Sequence, residues 1–569
     1  MVYPNHISNQ VYFSLFQTNP GFFLYHCELP GGVAEWCGAF ISQFYRWVGV
    51  GAFMQSAFPV MLYYLVTTLR WDGYKTLDKE GWYLLPVILL FFLQMQYAFL
   101  AGNAVQVVLW YASLWGYMRI GRKNIRLGVA VAGVYPVLSV AGALPSLVWV
   151  FTLLLYEARV NSDYRNGLAA LLSWGACFFA WRYFFPLEGK EWYTFFPRVQ
   201  EFRHSGLAWL LYLWFPATLL LLSGKKYGQV MFRFFSGMRG KVVVIVVLGL
   251  LFYWGKREFY HPRIENMLGL QQEAVRGHWE ALLSEVKPQQ QEAPVVIALT
   301  NLALAHTGEL AERVLDFPQS GIAGLIPAGN NYLSTLCCSW VYDWLGVKNE
   351  ALHWSVETTI AHGDNPPPFL MRQIAVLLME IGKETAAARF LKRLASVPFY
   401  REWAREKLKQ TARVEFQRKI RISEPFRDEG GQGDSDPGKE DFRIGTMGPF
   451  YDLFQLAERY PRNTRVRDYL LTGLLLEKDI PSFYAWFTKY YPPGYSGRLP
   501  RLYRQALLLA GFTKLDTEVH KKYRIAGEEL SRFRSYLDRC HAFGNDKEAA
   551  ARALQEDCGN TFWYYVHFR

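Results

Sequence analysis

The stretch GWYLLPVILLFFLQMQYAFLAGNAVQVVLWYASLWGYM, from Gly81 to Met118, runs for 38 residues without a formal charge. A helix rises 1.5 Å per residue, so about 20 apolar residues cross a hydrocarbon core of about 30 Å. The stretch is therefore too long for one span and long enough for two. Gln94, Gln96, Gly102 and Asn103 interrupt its middle, where a tight hairpin between two helices is expected. Soluble cores rarely contain so long an uncharged run, which assigns this part of the chain to the membrane class.

The flanking sequence repeats the pattern. Trp47 to Leu69 gives 23 uncharged residues, one span. Leu127 to Tyr156 gives a second hairpin with its turn near Gly142 and Pro145. Gly167 to Leu187 makes a further span if Arg182 snorkels to the interface, Ser205 to Gly224 another, and Lys241 to Gly255 a short last one that flanking aromatics and local bilayer thinning can extend. The expected total is about eight.

Charge sets the orientation. The formal net charge of +12 is uneven: residues 1 to 255 carry 19 Lys and Arg against 10 Asp and Glu, leaving 42 against 39 for the rest. The basic excess thus lies with the apolar half, which argues against a nucleic-acid partner and for a lipid surface. With the residues before Trp47 outside, the four loops expected inside hold 14 basic residues, and the outer segments as far as the last span hold five. The positive-inside rule favours this arrangement. The segment KKYGQVMFRFFSGMRGK, 225 to 241, then reads as a cytoplasmic loop: Lys225, Lys226, Arg233, Arg239 and Lys241 face anionic lipid while Phe232, Phe234 and Phe235 enter the interface. An even number of spans puts everything after Gly255 outside, in the periplasm of a bacterial inner-membrane protein. The first 46 residues lack a signal-peptide pattern yet fall on the same outer side, so an apolar span encoded upstream of Met1 is expected.

The second half reads as paired helices. VVIALTNLALAHTG (295 to 308) and LMRQIAVLLMEIG (370 to 382) carry apolar residues at helical spacing, and after a short break each is followed by another helix, ELAERVLDF or ETAAARFLKRL. A unit of about 34 to 40 residues of this kind resembles a degenerate tetratricopeptide-like array, with a curved solenoid as its stacked form; an irregular helical bundle is the alternative. SEPFRDEGGQGDSDPGKED, 423 to 441, has the composition of a disordered linker. The expected organisation is an all-α chain: an outer segment 1–46, a transmembrane bundle 47–255, helical repeats 256–422, the linker 423–441 and further repeats 442–569.

Chemical motifs are sparse. The chain contains no Walker GxxxxGK[ST], HExxH, GxSxG or CxxC pattern, and neither a cofactor nor a metal is expected. The nearest approach to a site is FFLYHCELPGGVAEWCGAF, 22 to 40, where His26, Glu28 and Glu35 cluster around a Pro-Gly-Gly turn ahead of the first span. A carboxylate there could serve as a general base at the membrane surface; Glu28 and Glu35 could equally cap and solvate a short interfacial helix. No bridge is expected between Cys540 and Cys558, whose levels on a helical hairpin differ by roughly 18 Å. Cys27 and Cys37 are geometrically freer to pair.

PGGVAEWCGAFISQF, NLALAHTGELAERVLDFPQSG, FYREWAREK, YLLTGLLLEKDIPSFYAWF and LPRLYRQALLLAG together resemble a family of bacterial polytopic membrane proteins of unknown function that carry a periplasmic helical-repeat tail. The resemblance covers nearly the whole chain and implies architecture and an envelope role, not a reaction. Such members have a further apolar span ahead of the PGG segment. A remoter likeness is to membrane glycosyltransferases that use lipid-linked sugars and place an acidic base in the first outer loop, where Glu28 and Glu35 fall; their loop is longer and has a paired-acid motif missing here. The leading expectation is an envelope scaffold whose tail binds a protein partner, and the alternative is a transferase of that kind.

Overall fold

The computed structural model describes all residues except 1–3, 70–82, 97, 185–206, 223–237, 260, 287–292, 364–365, 424–447, 514, 516–517 and 545. Every regular element among the described residues is helical. The chain divides into two compact units, Met1–Glu265 with Ser396–Arg401, and Asn266–Ala395 with Glu402–Arg569.

The first unit contains α1 (Pro4–Phe13), α2 (Pro20–Cys27), α3 (Gly32–Ser42), α4 (Val48–Thr67), α5 (Leu84–Leu93), α6 (Ala101–Met118), α7 (Lys123–Ala132), α8 (Val134–Ala141), α9 (Ala143–Val160), α10 (Arg165–Phe184), α11 (Leu207–Leu222) and α12 (Met238–Phe259). The uncharged stretch from Gly81 forms α5 and α6, with Gln94 and Gln96 between them. Among the described residues, α4 and α9 are long and apolar enough to cross a membrane; α7 and α8, bent by 40° at their junction, make a third candidate if taken as one.

Helix α6 lies at the centre of this unit, with Val107, Trp110, Tyr111 and Leu114 fully buried. Its polar side chains bond to carbonyls of neighbouring helices, one of which a helix end leaves open. Gln106 donates through Nε2 to the Ala141 carbonyl at the end of α8, 2.9 Å away, and Trp110 Nε1 donates to the Pro145 carbonyl at 2.8 Å. Tyr111 donates its hydroxyl to the Leu211 carbonyl of α11 at 2.6 Å. An unmade bond to a buried carbonyl costs about 1–3 kcal/mol, so Gln106 allows α8 to end inside the core. The buried carboxylate Glu157 of α9 is satisfied in the same manner: Tyr117 donates at 2.7 Å, Asn161 at 2.9 Å, and Arg126 lies 3.4 Å away. At the other end of the unit, Glu265 accepts the Asn5 and His6 amides of α1 at 2.7 and 3.0 Å, so a carboxylate stands at a helix N-terminus where the dipole favours it.

The second unit repeats one turn. Helix Pro294–His306 ends at Gly308, Tyr332–Leu345 at Gly346, Pro368–Glu380 at Gly382 and Thr464–Leu476 at Lys478. Each of these four turn residues has positive φ, and the residue after it returns its amide to a carbonyl five positions back: Glu309 to Leu304, Val347 to Tyr342, Lys383 to Leu378 and Asp479 to Leu474, all at 2.7–2.9 Å. This closes the helix C-terminus and starts the antiparallel partner within a few residues. The partners Lys348–His362, Glu384–Leu394 and Ile480–Tyr490 follow directly. The two helical segments read at 295–308 and 370–382 are helices here; ELAERVLDF becomes a short helix, Leu310–Arg313, with a 3₁₀ turn, Val314–Asp316. The linker reading falls on residues 424–441, outside the described residues, while Ser423 closes helix Arg401–Ser423.

A shared apolar core joins these pairs, with Leu299, Val341, Leu470, Phe483 and Leu507 fully buried. One carboxylate lies within it. Asp452 is 5% exposed and accepts from the Tyr342 hydroxyl at 3.4 Å. Burial, and then the charge of Glu350, push its carboxyl up to about 7. The unfolded chain releases this proton near pH 4, whereas the folded chain holds it to about 7. The associated stability is therefore present in acid and is lost as pH rises through 7.

Two outcomes are expected. Asp452 favours the folded second unit at about pH 5.5 over about pH 8, while His306 and His362, pushed down to about 4 by burial, act in the opposite sense; Asp452→Asn is therefore expected to lower the unfolding temperature at about pH 5.5 relative to that at about pH 8, and an unchanged pH dependence would remove Asp452 as a contributor. In the repeated turn, Gly382→Ala introduces a Cβ at φ +73° with no atom within 4 Å, so the loss of ~1–2 kcal/mol read by denaturant titration is backbone strain alone. Lys478→Gly relieves that strain and costs much less, even though the Lys478 ammonium lies 5.5 Å from the Tyr565 ring.

Candidate functional site

The three acid–base residues of the FFLYHCELPGGVAEWCGAF segment fall on α2, on its C-terminal cap and on α3. Asn19 starts α2 by accepting the Phe22 amide at 2.7 Å, and Pro20 occupies the first helical position. Helix α2 stops at Glu28, and Gly31, at φ +75°, turns the chain into α3. Gly32 is required by contact: a Cβ there would lie 2.1 Å from the His26 carbonyl oxygen. The Pro-Gly-Gly sequence thus folds α3 back along α2 and sets Glu35, in the first turn of α3, across from His26.

His26 is 1% exposed and Glu35 32%. His26 Nδ1 lies 2.8 Å from the Phe22 carbonyl oxygen. A carbonyl only accepts, so Nδ1 carries a hydrogen, and in the neutral form of the ring the lone pair is at Nε2. Nε2 is 3.9 Å from Glu35 Oε1. That separation exceeds a direct hydrogen bond, and it brings together two groups that can both accept a proton from a hydroxyl placed between them. Phe22 and Tyr25 hold the imidazole, with ring centroids at 4.3 and 5.4 Å. Glu28 stands apart: its side chain is exposed, and its carbonyl accepts the Trp181 indole N–H at 2.8 Å. The structure therefore brings together His26 and Glu35 and leaves Glu28 as a cap.

The pair is placed by a backbone contact. A Cβ on Gly38 of α3 would lie 2.1 Å from the Gly102 amide nitrogen of α6, and one on Gly102 would lie 3.1 Å from Glu35 Cα. The two helices touch main chain to main chain, which fixes the height of Glu35 over the N-terminus of α6. Buried amides surround that terminus. Gln10 accepts the Ala101 amide at 3.0 Å and caps α6. Among the described residues, Gln10 Nε2, Gln96 Nε2, Asn103 Nδ2 and Asn9 Oδ1 have no hydrogen-bond partner. In sequence, Gln96 and Asn103 read as turn residues, and no motif assigns Asn9 and Gln10 a role. The available signal was four polar residues, His6, Ser8, Asn9 and Gln10, on one short helix with no polar-out, apolar-in period. All four are buried.

The basic segment is described only in part. Lys225, Lys226 and Arg233 lie outside the described residues; Arg239 and Lys241 fall in the first turn of α12. Among the described residues no three His, Cys, Asp or Glu side chains come together as a metal would need. All seven cysteines are free thiols, Cys27 and Cys37 included.

The whole chain, residues 1–569, matches the model of a family of unknown function, DUF6057. No curated protein and no solved structure matches it.

The glycine contact yields a testable outcome. Gly38→Ala is expected to separate α3 from α6 and lower the unfolding temperature of the purified protein by several degrees, since a core clash costs about 1–3 kcal/mol. Gly116→Ala on α6, where nothing lies within 4 Å, is the control and leaves it unchanged or slightly raised. Equal effects at both positions would remove the close contact as the cause.

Proposed function

We propose that this chain, which belongs to the DUF6057 family of unknown function, is an integral membrane protein of the bacterial envelope. Its first unit sits in the bilayer, and its second unit binds a protein partner on the outer side. The observation that carries the reading is the outward face of α4. This helix is apolar enough to cross a membrane, yet only 22% of its most apolar window is buried inside the protein. Phe53 is 76% exposed and Val60 66%, with Met61, Tyr63 and Tyr64 beside them. Leu172 and Phe179 on α10 and Leu250 on α12 are exposed as well. Contiguous apolar surface of this kind is stable against lipid and not against water. About eight spans is the count that the uncharged segments support, with the loops rich in Lys and Arg on the cytoplasmic side. The second unit, built from antiparallel pairs joined by one recurring turn, has the local geometry from which tetratricopeptide-like arrays stack, and such arrays offer extended surfaces to partners.

A phosphatase fused after Arg569 is expected to be active outside the cytoplasm, and one fused after Gly224 inactive. Cytoplasmic activity of a reporter at Arg569 would overturn the orientation.

A second reading has one observation in its favour, the His26–Glu35 pair beside buried amides with unused hydrogen-bonding atoms. In a glycosyl transfer from a lipid-linked sugar, that pair would take the proton of the acceptor hydroxyl as its oxygen bonds to the anomeric carbon, while the bond from that carbon to the lipid phosphate breaks and the phosphate leaves with the electron pair. The double variant His26→Gln, Glu35→Gln separates the two readings. The scaffold reading expects an unchanged cellular phenotype at normal protein level. Loss of phenotype with the protein intact and folded would establish the transferase reading in its place.

A further inference from the structure

Within the second unit, the chain after helix Pro294–His306 and the N-terminus of helix Thr464–Leu476 border a cleft of about 810 Å³, a size that suits a small ligand. One wall is a continuous stack. Trp279 lies on His306 with centroids 4.1 Å apart and planes at 13°, and His306 meets Trp344 at 4.0 Å. The Arg465 guanidinium stands 4.1 Å from the Trp344 ring and donates to the Trp344 carbonyl at 2.9 Å, so an exposed arginine is held in one orientation. The other wall pairs Arg467 with Tyr491, 5.2 Å from the ring, while Arg467 Nε donates to Asp468 at 3.0 Å. Tyr495 packs edge-on against Tyr491 at 5.0 Å. Arg498, 83% exposed, reaches Glu312 at 3.3 Å across the rim.

We propose that this cleft binds an acidic saccharide, a hydroxyl-rich ring that carries a single carboxylate. Arginine forks pair with carboxylates through two parallel hydrogen bonds, and Arg465 is pre-oriented for that role. Three guanidinium groups face two carboxylates, an excess of one positive charge. That balance suits a monoanion, whereas a polyphosphate would meet the repulsion of Asp468 and Glu312. Those same carboxylates accept hydrogen bonds from sugar hydroxyls. The exposed ring of Tyr495 supplies flat apolar area for the C–H face of a ring. His306 adds no charge at neutral pH, because burial, and then Arg465, push it down to about 4. The inference rests on the second unit alone and is independent of whether the first unit scaffolds or catalyses.

The test uses the full chain in nanodiscs and isothermal titration calorimetry. The probes are the methyl glycosides of galacturonic, glucuronic and mannuronic acid, each with one carboxylate, the matching neutral methyl hexosides, inorganic phosphate, and a glutamate-rich hexapeptide. At least one uronate is expected to bind about tenfold or more tightly than its neutral counterpart, with affinity falling as salt rises. Arg465→Gln and the exposed Arg498→Gln each weaken that uronate by about fivefold or more with an unchanged unfolding temperature. Absence of saturable uronate binding would overturn the proposal. So would equal affinity for the neutral sugar, tighter binding of phosphate or the peptide, or indifference to both arginine variants.

Discussion

The contact of Gly38 with Gly102 is the constraint on which the first unit depends. No side chain separates α3 from α6 at that point, so the distance between the helices is set by main-chain atoms and cannot be adjusted by repacking. Everything placed by α3 inherits this fixed distance: Glu35 over the α6 terminus, His26 behind it through the Gly32 contact, and the turn into α4. Helix α6 in turn closes the open carbonyl at the end of α8 and binds α9 and α11 through Trp110 and Tyr111. A pair of polar groups at the edge of an apolar bundle needs such a rigid mount, because geometry within a few tenths of an ångström decides whether a hydroxyl can be shared between two acceptors.

The two units solve the same problem of ending a helix inside a packed structure by different means. In the first, side chains from a neighbouring helix supply the missing bonds, as Gln106 does for Ala141. In the second, the chain supplies its own through a left-handed residue and a returning amide. The first solution couples each break to a particular partner. The second is self-contained, so it recurs along the sequence without a strict consensus and tolerates even a lysine at position 478.

Much of the helix layout was legible from charge-free runs and helical spacing. Gly81 to Met118 does form two helices around Gln94 and Gln96, and the segments at 295–308 and 370–382 are helical, because uncharged length and apolar period follow directly from burial. The candidate site was legible only as a cluster of residue types. Its geometry came from contacts between segments distant in sequence: Gly102 lies 64 positions after Gly38 and is read in isolation as a turn residue. The cleft of the second unit was not legible either, since Trp344, Arg465, Tyr491 and Arg498 form no local motif and meet only when the pairs fold. Buried amides on α1 were hidden for a related reason: a polar helix with no apolar face reads as solvent-exposed until its surroundings are known.

The grip of Glu265 on α1 has a consequence for how the chain is made. The Asn5 and His6 amides leave the ribosome 260 and 259 residues before the carboxylate that receives them. During synthesis the N-terminus of α1 therefore waits while the apolar helices of the first unit emerge. Only then does a contact of very long sequence separation join the beginning of the unit to its end. Closure of that clasp is a late assembly event that follows synthesis of α1 to α12.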